Sequence, residues 1–108
     1  MRIEGGDAAV SRETIGEGRV TFYVPRELRV YCGGASALRL SAASVQEALL
    51  EVERRYPSLY GGICDETGAV RRHLNVFVNS SHVRDREGLN TVLEPGDEVL
   101  VLPAVSGG

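Results

Sequence analysis

A chain of 108 residues, 43% hydrophobic and 25% charged, is sized for one domain with a single core. Its net charge of −3 argues against nucleic acid as a partner, which calls for a basic face. No apolar run approaches the length needed to span a bilayer, and residues 1–18 lack the apolar core of a signal peptide, so a cytoplasmic protein that meets no membrane is expected.

Residues 1–18 follow neither the helical nor the strand period and are rich in glycine and charge. They predict a flexible N-terminal extension ahead of one domain over residues 19–108. Val20-Thr21-Phe22-Tyr23-Val24 alternates, with Val20, Phe22 and Val24 on one face, and Pro25 ends that half-buried strand. Residues 26–34 read as a connection closing on Gly33-Gly34. Ala37-Leu38-Arg39-Leu40-Ser41 alternates again and pairs with the first strand as a broad hairpin, Leu38 and Leu40 inward.

Ser44-Val45-Gln46-Glu47 is a capping box, with Ser at the N-cap and Glu three residues on. Val45, Ala48, Leu49, Val52 and Tyr56 then form one helical stripe, so the helix covers a single face of the sheet. Glu51 and Arg55 make a favourable i,i+4 pair, and Pro57 is expected to stop the helix. Residues 58–72, with Gly61-Gly62 and Gly68, read as a long loop ending in the basic step Arg71-Arg72-His73, a solvated loop end. Leu74, Val76 and Val78 alternate with Asn75, Phe77 and Asn79 as a third strand. Asn79-Ser80-Ser81 turns the chain into a short return strand, His82-Val83-Arg84. A short irregular or 3₁₀ segment near Gly88 leads to the last turn.

Glu94-Pro95-Gly96-Asp97 has the chemistry of a type II turn, with Pro presetting φ at the second position and Gly supplying positive φ at the third. Val99-Leu100-Val101-Leu102 is too short for a helix and reads as a central strand buried on both faces. Pro103 cannot donate to a ladder, so the strand ends there. Ala104, Val105, Ser106, Gly107 and Gly108 are small and offer no strand partner. Fully extended, residues 103–108 reach about 20 Å from the fold.

The chain offers no active site of its own. It holds no nucleophile beside a base, no usefully spaced carboxylate pair, no phosphate loop followed by lysine and no metal-ligand cluster. His82 is a lone turn histidine without a second ligand at metal spacing. Cys32 and Cys64 sit in no metal-ligand spacing and read as free, partly buried thiols; two cysteines cannot supply the four ligands of a plant-type iron–sulfur ferredoxin. All twelve basic side chains are arginine, so the chain presents no lysine amine for acylation by its own kind. The one group offered without obstruction is the Gly108 carboxylate, and Gly107-Gly108 suits a narrow tunnel.

Pro95-Gly96-Asp97-Glu98-Val99 with Pro103-Ala104-Val105-Ser106-Gly107-Gly108 resembles the end of the MoaD/ThiS sulfur carriers, prokaryotic relatives of ubiquitin. The similarity runs back through Leu74-Asn75-Val76-Phe77-Val78-Asn79 and, more loosely, to Arg19. It implies an α+β β-grasp roll, a mixed sheet of four to five strands with one main helix and the last strand parallel beside the first. It also implies a carrier protein, not an enzyme. A ubiquitin-activating-type enzyme using Mg-ATP would adenylate Gly108, and a sulfur donor would convert it to a thiocarboxylate. Gly107 would give access, and Pro103, Ala104, Val105 and Ser106 would set the reach. No cofactor or metal would be bound by the chain itself.

The wider pattern V-F-V-N, V-R, G-L-N-T-V-L, P-G-D-E-V and L-P-A-V-S-G-G is similar to the CysO-like branch, which implies cysteine synthase as acceptor. The molybdopterin synthase large subunit comes next, then delivery to the thiamin thiazole. A ubiquitin-like protein modifier and a purely structural β-grasp domain are the remaining alternatives. Apolar Leu100, Leu102 and Phe77, with one helix to cover a single sheet face, predict an uncovered apolar patch rimmed by arginine, a protein-binding surface.

Overall fold

The computed structural model describes residues 19–104; residues 1–18, expected to be an extension, and 105–108, the end of the tail, lie outside the described residues. Strands β1 (Arg19–Tyr23), β2 (Ala37–Ser41), β3 (Leu74–Val78), β4 (Ser81–His82) and β5 (Glu98–Pro103) form one mixed sheet in the order β2-β1-β5-β3-β4. β1 and β2 are the antiparallel hairpin, in register Val20 to Leu40 and Phe22 to Leu38. β5 runs parallel to β1, Phe22 opposite Val99, and antiparallel to β3, Val76 opposite Val101. The last strand is therefore central, as its apolar run requires.

Helix α1 (Val45–Arg55) starts as a capping box: Glu47 N–H donates to Ser44 Oγ at 3.1 Å, and Glu47 Oε1 accepts from Ala43 N–H at 2.9 Å. Val45, Ala48, Leu49 and Val52 bury its stripe against the sheet. Pro57 does not simply end the helical region. It is the first residue of a second helix, α2 (Pro57–Ile63), where its missing N–H is no loss. The expected long loop is thus shorter than predicted, and Gly61-Gly62 lies in a helix. Leu59 and Ile63, i and i+4, are fully buried and hold α2 on the core. Gly62 permits close approach, because a Cβ there would come within 2.8 Å of Leu28 Cδ2. Leu28 belongs to a 3₁₀ helix over Arg26–Cys32, where a plain connection was expected.

Smaller corrections follow the same logic. Val24, expected in the first strand, lies just past β1 yet stays buried and bonds through N–H to Ser36 O at 2.9 Å. The return strand is shorter than predicted: β4 ends at His82, and Val83–Asp85 is a 3₁₀ turn that buries Val83. The predicted 3₁₀ segment covers Gly88–Asn90. Asn79 takes a left-handed φ of 55° in the β3–β4 turn, a conformation that asparagine tolerates.

The core sits between the sheet and the helices. It joins Phe22, Leu40, Leu49, Val76, Val99 and Val101, each almost inaccessible. Both cysteines are free and buried in it. Burial raises the Cys64 thiol above its ordinary range.

Candidate functional site

The expected turn launches β5. Gly96 has φ +93°, and Asp97 N–H donates to Glu94 O at 3.0 Å, as a type II turn requires. Two side chains lock it. Asp97 Oδ2 accepts from Glu94 N–H at 2.8 Å, and Asp97 Oδ1 accepts from the Asn79 amide at 3.1 Å. Gly96 N–H donates to Arg19 O at 2.9 Å, which ties the turn to the start of β1.

β5 is buried on one face only. Val99 and Val101 point into the core, whereas Leu100 is half-buried and Leu102 is 42% exposed. The prediction of two buried faces fails because α1 and α2 both pack on the same side of the sheet. On the open side, register places Leu100 between Tyr23 and Phe77, and Leu102 beside Asn75. Phe77 meets His82 edge-on at 5.0 Å. The exposed Arg39 of β2 lies opposite Thr21 of β1. Tyr23 Oη donates to Glu98 Oε2 at 3.2 Å, and that bond holds the phenol above its usual pKa.

At the far end of β5, Pro103 faces Leu74 and is exposed. Ala104 N–H donates to His73 O at 2.7 Å, the last backbone bond to the β3 side among the described residues. Of the predicted tail residues, Pro103 and Ala104 therefore stand at the exit from the sheet. Val105, Ser106, Gly107 and Gly108 lie outside the described residues.

His82 is committed structurally, with Nε2 3.1 Å from Asn75 Oδ1 and Nδ1 accepting from Arg84 N–H at 3.0 Å. Among the described residues no group of His, Cys, Asp or Glu could hold a metal ion, and no helix is long and apolar enough to cross a membrane. Arg71 is exposed, and its Nε ties it to Gly61 O at 2.9 Å, so the basic step braces α2.

Sequence reasoning missed a groove of about 490 Å³ beside the tail exit, lined by Tyr23, Pro25, Arg26, Arg29, Leu102 and Pro103 among others. Its available signal was the i,i+3 pair Arg26 and Arg29, which fits one edge of a 3₁₀ helix.

A five-stranded mixed sheet whose central last strand runs parallel to the first, with its helices on one face, defines a ubiquitin-like β-grasp protein. The ThiS family model matches residues 24–108, and the chain belongs to that family.

It is 33% identical over 91 residues to the sulfur carrier protein CysO of Mycobacterium tuberculosis, a match covering 82% of this chain and 98% of that one. Among solved structures, CysO in the Amycolatopsis orientalis BexX/CysO complex superposes with a TM-score of 0.73 at 35% identity, over 82% of this chain and 99% of that one. Small archaeal modifier protein 1 of Methanosarcina acetivorans superposes with a TM-score of 0.71 at 33% identity, covering 85% and 98%.

Proposed function

We propose that this chain, a sulfur carrier by family and by its CysO relatives, carries sulfur on the C-terminal carboxyl of Gly108 and delivers it to a biosynthetic acceptor enzyme. The observation that carries the reading is a central strand, paired with β1 and β3, that ends at Pro103, with Ala104 tied to His73 just beyond. The family match continues from there through Gly108.

A carboxylate is a poor acyl donor, because oxide is a hopeless leaving group. A Gly108 oxygen attacks the α-phosphorus of ATP on an adenylating enzyme, and pyrophosphate leaves. Sulfur at the hydrosulfide level then displaces AMP and loses a proton, giving the thiocarboxylate. Gly107 gives backbone access to a narrow tunnel, and Pro103, Ala104, Val105 and Ser106 set the reach. Mg-ATP belongs to the adenylating enzyme, and this chain acts as its protein co-substrate. Cysteine synthase is the preferred acceptor, supported by the likeness to CysO; the molybdopterin synthase large subunit is the alternative.

The second reading, a ubiquitin-like modifier, is favoured by the likeness to an archaeal modifier protein. With no lysine in the chain, self-conjugation could not grow through lysine side chains. Intact-protein mass spectrometry after incubation with the adenylating enzyme, Mg-ATP and sulfide tests the carrier. A sulfur-for-oxygen exchange at the C-terminus is expected, lost when Gly108 is deleted. Loading that survives the deletion overturns the assignment. Abundant lysine adducts ending in this tail, found on other proteins of its own cells under denaturing conditions, would move the function to the modifier class.

A further inference from the structure

β3 has β5 along one edge for its whole length, but β4 along only part of the other. The bonds from Ala104 N–H to His73 O and from Asn79 N–H to Glu98 O fix how its peptide groups alternate. Asn75 and Phe77 turn theirs to β5, whereas Leu74, Val76 and Val78 turn theirs to the opposite edge. There β4 takes up Val78, opposite Ser81, and ends at His82. Val83 would come next, opposite Val76, but it has left the sheet for a 3₁₀ turn. Val76 is 2% exposed, and its N–H and C=O have no hydrogen-bond partner among the described residues. A buried peptide group left in that state is costly.

Beside this edge lies a cleft of about 310 Å³, lined by Val70, Leu74, Val76, Val83 and Leu89 with the exposed Arg71 and Arg72 next to them. An open strand edge along an apolar cleft fits an extended segment, with its backbone on the edge and a side chain in the cleft.

The chain holds a segment of matching chemistry. Residues 3–11, I-E-G-G-D-A-A-V-S, carry the acids Glu4 and Asp7, no base and no proline, and include Val10. Reach decides which apolar residue arrives. Register puts Val76 two strands across from Arg19 and five residues farther along the sheet. At about 4.8 Å per strand and 3.3 Å per residue, that distance is about 20 Å. Four residue steps back to Ile15 span at most about 14 Å, whereas nine steps back to Val10 span about 30 Å. A segment running from the cleft toward Arg19 travels parallel to β3. With Val10 level with Val76, Asp7 comes level with His73, next to Arg72.

We propose that residues 7–10 of this chain add to the open edge of β3 as a short parallel strand, with Val10 in the cleft and Asp7 on the Arg71-Arg72 step. The strand satisfies the Val76 peptide and closes an edge that β4 leaves uncovered. Neither Gly108 nor the tail takes part, so the docked segment and the carrier reading stand or fall separately.

Amide hydrogen exchange, followed by NMR on the full chain, reads the Val76 N–H directly. Val10→Asp is expected to speed exchange at Val76 by about tenfold or more while Phe77, bonded toward β5, keeps its rate. Asp7→Arg should speed it by about threefold, as suits an exposed ion pair, and adding Arg72→Asp to the same chain should restore it. Ile15→Asp makes the same kind of change on too short a tether and should leave Val76 unaltered. The rates should not depend on protein concentration, because segment and cleft belong to one molecule. The amide spectrum of each variant establishes that it is folded.

A Val76 rate unaltered by Val10→Asp overturns the docked strand. An equal acceleration by Ile15→Asp also overturns it, since reach then plays no part. Protection that rises with concentration gives the edge to a second copy and overturns docking of the chain's own segment. An Asp7→Arg variant that exchanges like the native chain overturns the parallel course that sets Asp7 on the arginines.

Discussion

Thr91 is 1% exposed, a polar residue sealed into the core at the joint between α1 and the turn that launches β5. Its Oγ1 donates to Gly88 O at 2.7 Å and accepts from Glu87 N–H at 3.1 Å. Its backbone O accepts from Val45 N–H at 3.0 Å, and two residues on, Leu93 N–H donates to Ala43 O at 3.0 Å. Thr91→Val keeps the shape and removes both hydroxyl bonds. At about 1 kcal/mol each, their loss costs about 2 kcal/mol. Burying one more methyl group returns about 0.8 kcal/mol. The Gly88 carbonyl still accepts from Thr91 N–H at 3.1 Å, so the group left without a partner among the described residues is Glu87 N–H. The net expectation is a loss of about 1–2 kcal/mol, a fall in Tm of about 5–10 °C for a domain of this size. Thermal and urea denaturation measure it, and amide exchange at Glu87 should quicken in Thr91→Val but not in Thr91→Ser, which keeps the oxygen. A Thr91→Val variant as stable as the native chain, with Glu87 exchange unaltered, would refute the view that these bonds hold the joint.

Two further outcomes test the scaffold. Ser44→Ala removes the side-chain acceptor for Glu47 N–H and should cost about 1 kcal/mol in urea denaturation, with sulfur loading of the folded fraction intact. Burial holds the Cys64 thiol neutral above its ordinary range, so its contribution to stability is complete below the unfolded-state pKa and is lost as pH climbs through the higher folded-state value. The native chain should accordingly show no fast-reacting thiol to a disulfide reagent at pH 8, and denaturant should release Cys32 and Cys64 together; a thiol that titrates rapidly before unfolding contradicts the burial.

The parts that could be read in the sequence are those where one residue type has one local use. Ser44 with Glu47 makes a cap, Pro95-Gly96 makes a type II turn, and Val99 and Val101 make a core strand; each stands where expected. What stayed hidden depended on contacts distant in sequence. Pro57 carries the same local meaning as the stop of one helix and the first residue of the next. Only burial of Leu59 and Ile63 decides between these, and one i,i+4 pair is too short to show a period. Gly62 looked like loop chemistry because its use, making room for Leu28 of a segment more than thirty residues away, cannot be seen locally. The same limit applied to β5. Four apolar residues in a row are compatible with two covered faces or one, and the placement of α2 beside α1 leaves Leu100 and Leu102 on the open side.

The arrangement separates what holds the fold from what would do the chemistry. β5 completes its stabilising work by Val101, which is 1% exposed and paired with Val76 of β3. Its ladder with β1 covers Glu98–Leu100, and its ladder with β3 runs as far as Pro103, which has no N–H to donate. The tie from Ala104 to His73 then fixes the chain just past the end of β5. Substitutions in the last residues should therefore alter loading with almost no change in Tm. Substitutions at Val99 or Val101 should lower Tm first, and affect loading only through the folded fraction. A carrier that loads sulfur on its end, as proposed above, would need that independence. A central strand suits that need, because β1 holds Glu98–Leu100 and β3 holds Val99–Pro103.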